Sequence, residues 1–112
     1  MKYLVEDCDN PADPVQDYAE AGRIVRQVLG SHSSVRQAGM FGSFVRGEQK
    51  DSSVVDLLLQ VDSKDVFEVI GIGIDLAEEL GRDVDMLTTL RGAQSSFIEN
   101  LKREGRLIYR RD

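Results

Sequence analysis

The sequence has few of the residues that build disulfide scaffolds, aromatic clusters or membrane spans. Cys8 is the only cysteine among 112 residues, and there is no tryptophan. A single cysteine excludes an intramolecular disulfide and a Cys-x-x-Cys metal clip. No apolar run approaches the roughly 18 residues that a transmembrane helix needs, and the acidic N-terminus is unlike a signal peptide. These absences predict a soluble cytoplasmic protein with no membrane association.

The charge balance also excludes one class of partner. Twenty acidic residues against fourteen basic ones give a net charge of −6, which disfavours binding to a polyphosphate backbone, so nucleic acid is not an expected partner. The C-terminus alone is locally cationic, and it is either a solvated helix face with a frayed tail or a docking patch for a partner or anionic substrate. Its basic residues are Lys102, Arg103, Arg106, Arg110 and Arg111.

Length and patterning predict one α+β domain over residues 1–112, with residues 1–12 as a flexible N-terminal segment. Asp13 and Pro14 are typical of a helix start, and the helix should end at Gly30. A strand is expected from Val35 to Phe41. A nearly continuous apolar run over 54–61 predicts a second strand, buried within a sheet.

The second half of the chain repeats the alternation of helix and strand. A helix capped by Ser63 should end at Gly81, and its predicted buried stripe is Val66, Phe67, Val69, Ile70, Ile74, Ala77 and Leu80. A strand over 84–87 and a helix from about Gln94 to Glu104 follow, the helix burying Phe97, Ile98 and Leu101. Residues 107–109 close the chain as a strand. The order predicts helices packed on a small mixed β-sheet.

The Gly42-Ser43 turn is a candidate cradle for phosphate groups. Glycine lets the backbone approach a phosphate closely, while Ser43 offers a hydroxyl and an amide at the start of a short helical segment. A tight strand-to-helix turn without a ligand is the alternative. Arg46 could bind a phosphate bidentately, or it could hold the turn through an internal salt bridge. Phe41, Phe44 and Val45 are interpreted as core residues.

Two carboxylates are candidate metal ligands. Asp56 interrupts the apolar strand, and an isolated carboxylate there is costly without a partner. Asp83 and Asp85 share one face of the next strand because side chains alternate along a strand. Hard cations such as Mg²⁺ prefer carboxylate oxygens that converge from neighbouring strands. Asp56 is therefore either a ligand or a buried acid satisfied by hydrogen bonds.

These features together resemble the nucleotidyltransferase signature of the DNA polymerase beta superfamily, in the form of the minimal nucleotidyltransferases. The signature is carried by GSFVRGEQKDSSVVDLLLQVD at 42–62 and RDVDMLT at 82–88. The resemblance implies the mixed-sheet fold of that superfamily, and a nucleoside triphosphate such as ATP as substrate. It implies that Asp56 and Asp85 are catalytic ligands of Mg²⁺ or Mn²⁺, and that Gly42, Ser43 and Arg46 contact the nucleotide.

The sequence departs from that pattern at one position. Alignment on the Gly-Ser turn places Val54 where the family has its first aspartate, and valine cannot bind a metal. Asp51, Glu48 and Asp83 are nearby acids, of which Asp83 is best placed, but none replaces the missing ligand simply.

Two functions therefore remain open. One is transfer of a nucleoside monophosphate to a hydroxyl group, with acceptor recognition supplied by a partner or a second subunit. The resemblance implies that the partner is a small helical HEPN-type protein for which this chain would be the antitoxin. The other is a catalytically degenerate protein that binds a nucleotide or a partner.

Overall fold

The computed structural model describes residues 14–111, and its first helix, α1, spans Tyr18–Gly30. Asp17 caps this helix, because its carboxylate accepts a hydrogen bond from the backbone N–H of Glu20. The predicted start at Pro14 is wrong, and Asp13 lies outside the described residues. The backbone N–H of Val15 donates to the carbonyl of Leu80 at 2.9 Å, which holds this segment against another element rather than in a helix.

Four strands form one mixed sheet. The elements after α1 are β1 (Val35–Phe41), α2 (Ser43–Arg46), β2 (Val55–Val61), α3 (Val66–Leu80), β3 (Val84–Leu87), α4 (Ser95–Glu104) and β4 (Arg106–Arg110). The strand order is β3-β2-β1-β4; β1 is antiparallel to β2 and to β4, whereas β2 and β3 are parallel. The predicted fold class and the short helix after the Gly-Ser turn are confirmed.

The hydrophobic core lies between one face of the sheet and the helices α1 and α3. Leu57 and Leu59 of β2 are buried there with Leu29 of α1 and Leu76 of α3. Side chains alternate along β2, so Asp56, Leu58 and Gln60 lie on the opposite face, which these two helices leave open. None of the described helices is long and apolar enough to cross a membrane.

The predicted buried stripe of α3 is largely wrong. Ile72, Leu76 and Leu80 are its fully buried residues. Val66, Phe67, Ile70 and Ile74 are 66%, 83%, 51% and 53% exposed, respectively. Apolar residues occupy most of the circumference of this helix, so periodicity alone could not identify the face that packs.

The predicted cap of α3 is also corrected. Asp65 caps the helix by accepting a hydrogen bond from the N–H of Phe67 at 2.9 Å, whereas Ser63 accepts one from the N–H of Asp65 at 3.0 Å. Ser63 therefore supports the cap from the preceding turn.

The helix α4 packs loosely at the edge of the open face. Phe97, Ile98 and Leu101 were predicted to be buried, but they are only half-buried, and no residue of α4 is fully buried. Phe97 meets Phe41 of β1 edge-to-face, with ring centroids 5.9 Å apart. Phe41 is thus half-buried beside α4, while the predicted core residue Phe44 is fully buried.

Candidate functional site

Gly42 occupies a backbone conformation that only glycine adopts readily. It joins β1 to α2 with φ 81° and ψ −154°. A Cβ atom at this position would lie 2.1 Å from Oδ2 of Asp56. The Asp56 carboxylate therefore rests against the backbone of the turn. The first N–H groups of a helix have no partner within it, so the turn presents hydrogen-bond donors beside that carboxylate.

The sheet places Asp56 and Asp85 side by side. They are register partners on the parallel strands β2 and β3, and both line one cavity of about 460 Å³ with Phe41 and Phe97. Asp56 also lines a second cavity of about 260 Å³ with Gly42 and Arg46. Ser43 begins α2 but is not among the residues that line these two cavities.

The electrostatics of the pair suit a bound cation. Burial raises the pKa of Asp56 above its ordinary value, the neighbouring charge of Asp85 raises it further, and Arg46 opposes the shift. A divalent cation would relieve the repulsion between two such carboxylates. Within residues 14–111, however, no group of three His, Cys, Asp or Glu side chains is arranged to hold a metal. In this part of the chain, Asp56 and Asp85 are therefore a pair of carboxylates without a third such group beside them.

Arg46 forms internal ion pairs, which is one of the two roles that the sequence analysis left open for it. Its Nε lies 2.8 Å from Oε1 of Glu48, and its Nη1 lies 2.6 Å from Oε1 of Glu104. The second contact joins α2 to the end of α4. Arg46 therefore holds the wall of the cavity that contains Asp56, and a phosphate that reached its guanidinium would compete with Glu48 and Glu104.

Within residues 14–111, the other acids near the turn do not add a third carboxylate to the pair. Val54, which the resemblance aligns with the first aspartate of the family, is half-buried directly before β2. Asp51 is exposed in the preceding turn, and Glu48 pairs with Arg46. Asp83 is exposed before β3, where its carbonyl accepts a hydrogen bond from the N–H of Val55 at 3.0 Å.

Arg82 is a structural residue that the sequence did not reveal. It is 7% exposed, and its guanidinium lies 5.1 Å from the ring centroid of Phe44. It donates hydrogen bonds of 2.5–3.1 Å to the carbonyls of Val15, Lys50, Asp51 and Ser53. Three of these carbonyls belong to the loop between α2 and β2. The only feature of the sequence that pointed to Arg82 was its place between Gly81, which ends α3, and the strand that carries Asp85.

A paired carboxylate over a glycine turn, on a mixed sheet covered by helices on one face, defines a nucleotidyltransferase fold. Residues 24–112 match the family described as "Polymerase beta, Nucleotidyltransferase", and the chain belongs to this family. Nucleotidyltransferases of this family generally use a nucleoside triphosphate and a divalent metal ion.

Three known proteins are similar. A candidate protein adenylyltransferase of Methanocaldococcus jannaschii is 36% identical over 70 residues, covering 62% of this chain and 74% of that protein. A solved candidate minimal nucleotidyltransferase is 26% identical with a TM-score of 0.61, covering 81% of this chain and 95% of that one. The MNT antitoxin complex with a tri-AMPylated Shewanella oneidensis HEPN toxin contains a chain that is 18% identical with a TM-score of 0.59, covering 83% of this chain and 72% of that one.

Proposed function

We propose that this protein binds a nucleoside triphosphate with Mg²⁺ or Mn²⁺ and transfers the nucleoside monophosphate to a hydroxyl group of a protein partner. The juxtaposition of Asp56 and Asp85 beside the Gly42 turn carries this proposal. The M. jannaschii relative is named for adenylyl transfer to protein, and the S. oneidensis toxin bound to an MNT antitoxin is AMPylated. Both support ATP as the donor, and the latter supports a helical HEPN-type partner.

The reaction would be a displacement at the α-phosphorus. The acceptor oxygen forms a bond to that phosphorus, the bond from the α-phosphorus to the bridging oxygen breaks, and pyrophosphate leaves with the electron pair. The acceptor proton passes to solvent. A divalent cation held by Asp56 and Asp85 would supply charge neutralisation at the phosphate oxygens. The Gly42-Ser43 turn would orient the phosphates, and Arg46 would hold the turn through Glu104.

Val54 favours a second candidate function. The first ligand position of the family holds a side chain that cannot bind a metal, and no described carboxylate takes its place. Such a site would bind a nucleotide without turning it over efficiently. The protein would then neutralise its partner by covering it rather than by modifying it.

Calorimetric titration with Mg-ATP tests the shared step of both functions. We expect weak binding, which Asp56→Asn and Asp85→Asn should weaken further because each removes one of two charged ligands. Asp83→Asn is the matched control, since it removes an exposed aspartate outside the site. Unchanged affinity in both Asp56→Asn and Asp85→Asn would refute the metal role. Transfer of labelled AMP to a co-purified partner then separates the transferase from the binding protein.

A further inference from the structure

An apolar groove continues from the carboxylate pair along the open face of the sheet. Its volume is about 530 Å³, within the range of small-ligand sites. Gly39 of β1, Leu58 of β2 and Leu107 of β4 form the apolar middle of its floor, and Leu107 is 57% exposed. The register partners Gln37 and Gln60 line the end of the groove away from Asp56. Leu90 and Leu101 contribute further apolar surface from the two sides.

The groove and the carboxylate site share one wall. Thr89 and Leu90, which follow β3, line both the groove and the cavity that contains Asp56 and Asp85. Residues two apart on a strand are separated by about 7 Å, so Leu58 lies one such step from Asp56 on the same face. A hydroxyl group about 7 Å along a molecule seated on Leu58 would therefore lie at the carboxylates.

The opposite side of the groove is cationic. Lys102, from the last turn of α4, and Arg106, which begins β4, both line it. The guanidinium of Arg106 donates to the carbonyls of Glu104 and Gly105, which orients it at the rim. Two inter-strand spacings separate β4 from β2, so Arg106 begins about 10 Å across the sheet from the Asp56 strand, and Lys102 lines the same groove from α4. A positive rim is notable on a chain whose net charge is −6.

We propose that this groove binds the acceptor, as a polypeptide segment with apolar side chains beside its reacting hydroxyl and a carboxylate about 10 Å away, facing Lys102 and Arg106. The inference rests on the proposed function and names the substrate class of the same site. An apolar floor favours a polypeptide over a sugar acceptor, and the cationic rim selects an acidic segment. The base of the nucleotide is the competing occupant.

Four variants distinguish binding in the groove from binding elsewhere on the surface. Leu107→Glu and Lys102→Glu place negative charge on its floor and rim. Ile70→Glu is the control for the first, because Ile70 is a 51% exposed apolar residue of α3 that does not line the groove. Arg103→Glu is the control for the second, because it reverses the neighbouring cation, which does not line the groove.

The probe is an acetylated peptide, Glu-Glu-Ala-Leu-Tyr-Leu-Gly-amide, titrated into ¹⁵N-labelled protein and compared with its lysine-for-glutamate counterpart. We expect the acidic peptide to shift the amide signals of Gly39, Leu58 and Thr89, and the lysine peptide to bind roughly fivefold more weakly. Leu107→Glu and Lys102→Glu should weaken the acidic peptide by at least a similar factor, whereas both controls should bind it as the unaltered protein does.

The same spectra distinguish failure of this inference from failure of the proposed function. All four variants should retain the Mg-ATP affinity of the unaltered protein. Absence of Mg-ATP binding would refute the proposed function, while the peptide titration would still report on the groove. The inference is overturned if the peptide leaves the groove signals unchanged at millimolar concentration, or if both peptides bind equally. Shifts of the Gly39 and Leu58 signals on addition of Mg-ATP would assign the groove to the nucleotide base and would also overturn the inference. Thr89 lines both cavities, so its signal does not separate the two occupants.

Discussion

Gly42→Ala should damage the fold and the site through two separable effects. The first is conformational, because φ 81° and ψ −154° lie in a region that is essentially restricted to glycine, where another residue costs about 1–3 kcal/mol. The second is steric, because the new methyl group would lie 2.1 Å from Oδ2 of Asp56. Relief of that contact requires the Asp56 carboxylate to move away from the turn.

Gly47→Ala separates the two effects. Gly47 also has a positive φ, at 72°, but an added Cβ would meet nothing within 4 Å. Its cost is the backbone strain alone, about 1–2 kcal/mol. For a domain of this size each kcal/mol lowers the melting temperature by about 4–8 °C. Both variants should therefore melt earlier in thermal unfolding followed by circular dichroism, and only Gly42→Ala should also lose Mg-ATP binding in calorimetry.

One result would refute this reasoning. A folded Gly42→Ala protein that binds Mg-ATP as tightly as Gly47→Ala would mean that the position of the Asp56 carboxylate against the turn does not matter for the nucleotide.

Three further predictions concern the carboxylate pair and the loop before β2. Val54→Asp should raise transfer of labelled nucleotide roughly a hundredfold or more. A missing metal ligand can cost several kcal/mol of transition-state stabilisation, and each 1.4 kcal/mol or so is about tenfold in rate. Asp56→Asn should stabilise the protein near neutral pH, because the raised pKa of Asp56 means that its charged form is unfavourable in the fold. In urea unfolding, the gain in the free energy of unfolding should be absent below pH 3.8, the ordinary pKa of the carboxyl group, and should grow as the pH rises above it. Arg82→Leu should lower the free energy of unfolding in urea by about 3 kcal/mol or more, since each hydrogen bond from a charged group contributes roughly 1.5–3 kcal/mol. Arg82→Lys should recover only part of that loss.

Each of these has a result that contradicts it. Robust transfer by the unaltered protein, or a folded Val54→Asp protein with no gain in metal binding or transfer, would mean that Val54 is not the limiting feature. A loss of stability in Asp56→Asn at neutral pH would mean that the carboxylate is favourably solvated or paired in the fold. An Arg82→Leu protein as stable as the unaltered one would mean that water satisfies the loop carbonyls.

The site was more predictable from the sequence than the packing around it. The resemblance to the nucleotidyltransferases, together with strand alternation, was enough to predict that Asp56 and Asp85 lie on adjacent strands, and the register of β2 and β3 confirms it. One ion-pair partner of Arg46, Glu48, is two positions away, but the other, Glu104, lies 58 positions later, so the sequence could only leave the ion pair as an alternative. Arg82 escaped attention for the same reason, since its four carbonyl partners are all distant in the chain.

The errors in the fold have a common physical origin. Periodicity shows that a helix has an apolar stripe, but not which part of a broad stripe meets the core. In α3 the structure buries Ile72 and Leu76 and leaves Ile70 and Ile74 exposed. In α4 the stripe was identified correctly, but the helix lies at the rim of the open face, where no other element of residues 14–111 buries any of its residues. Burial there depends on the neighbouring elements rather than on the helix.

The hydrogen bonds of Arg82 have a consequence for the thermodynamics of binding. Ordering the backbone of one residue costs about 1–2 kcal/mol of conformational entropy at 25 °C. Arg82 fixes the loop at Lys50, Asp51 and Ser53, so this cost is met when the chain folds and not when a nucleotide arrives. The carboxylate of Asp56 is then presented from a strand whose entry is already ordered. Nucleotide association should therefore not wait for this loop to become ordered.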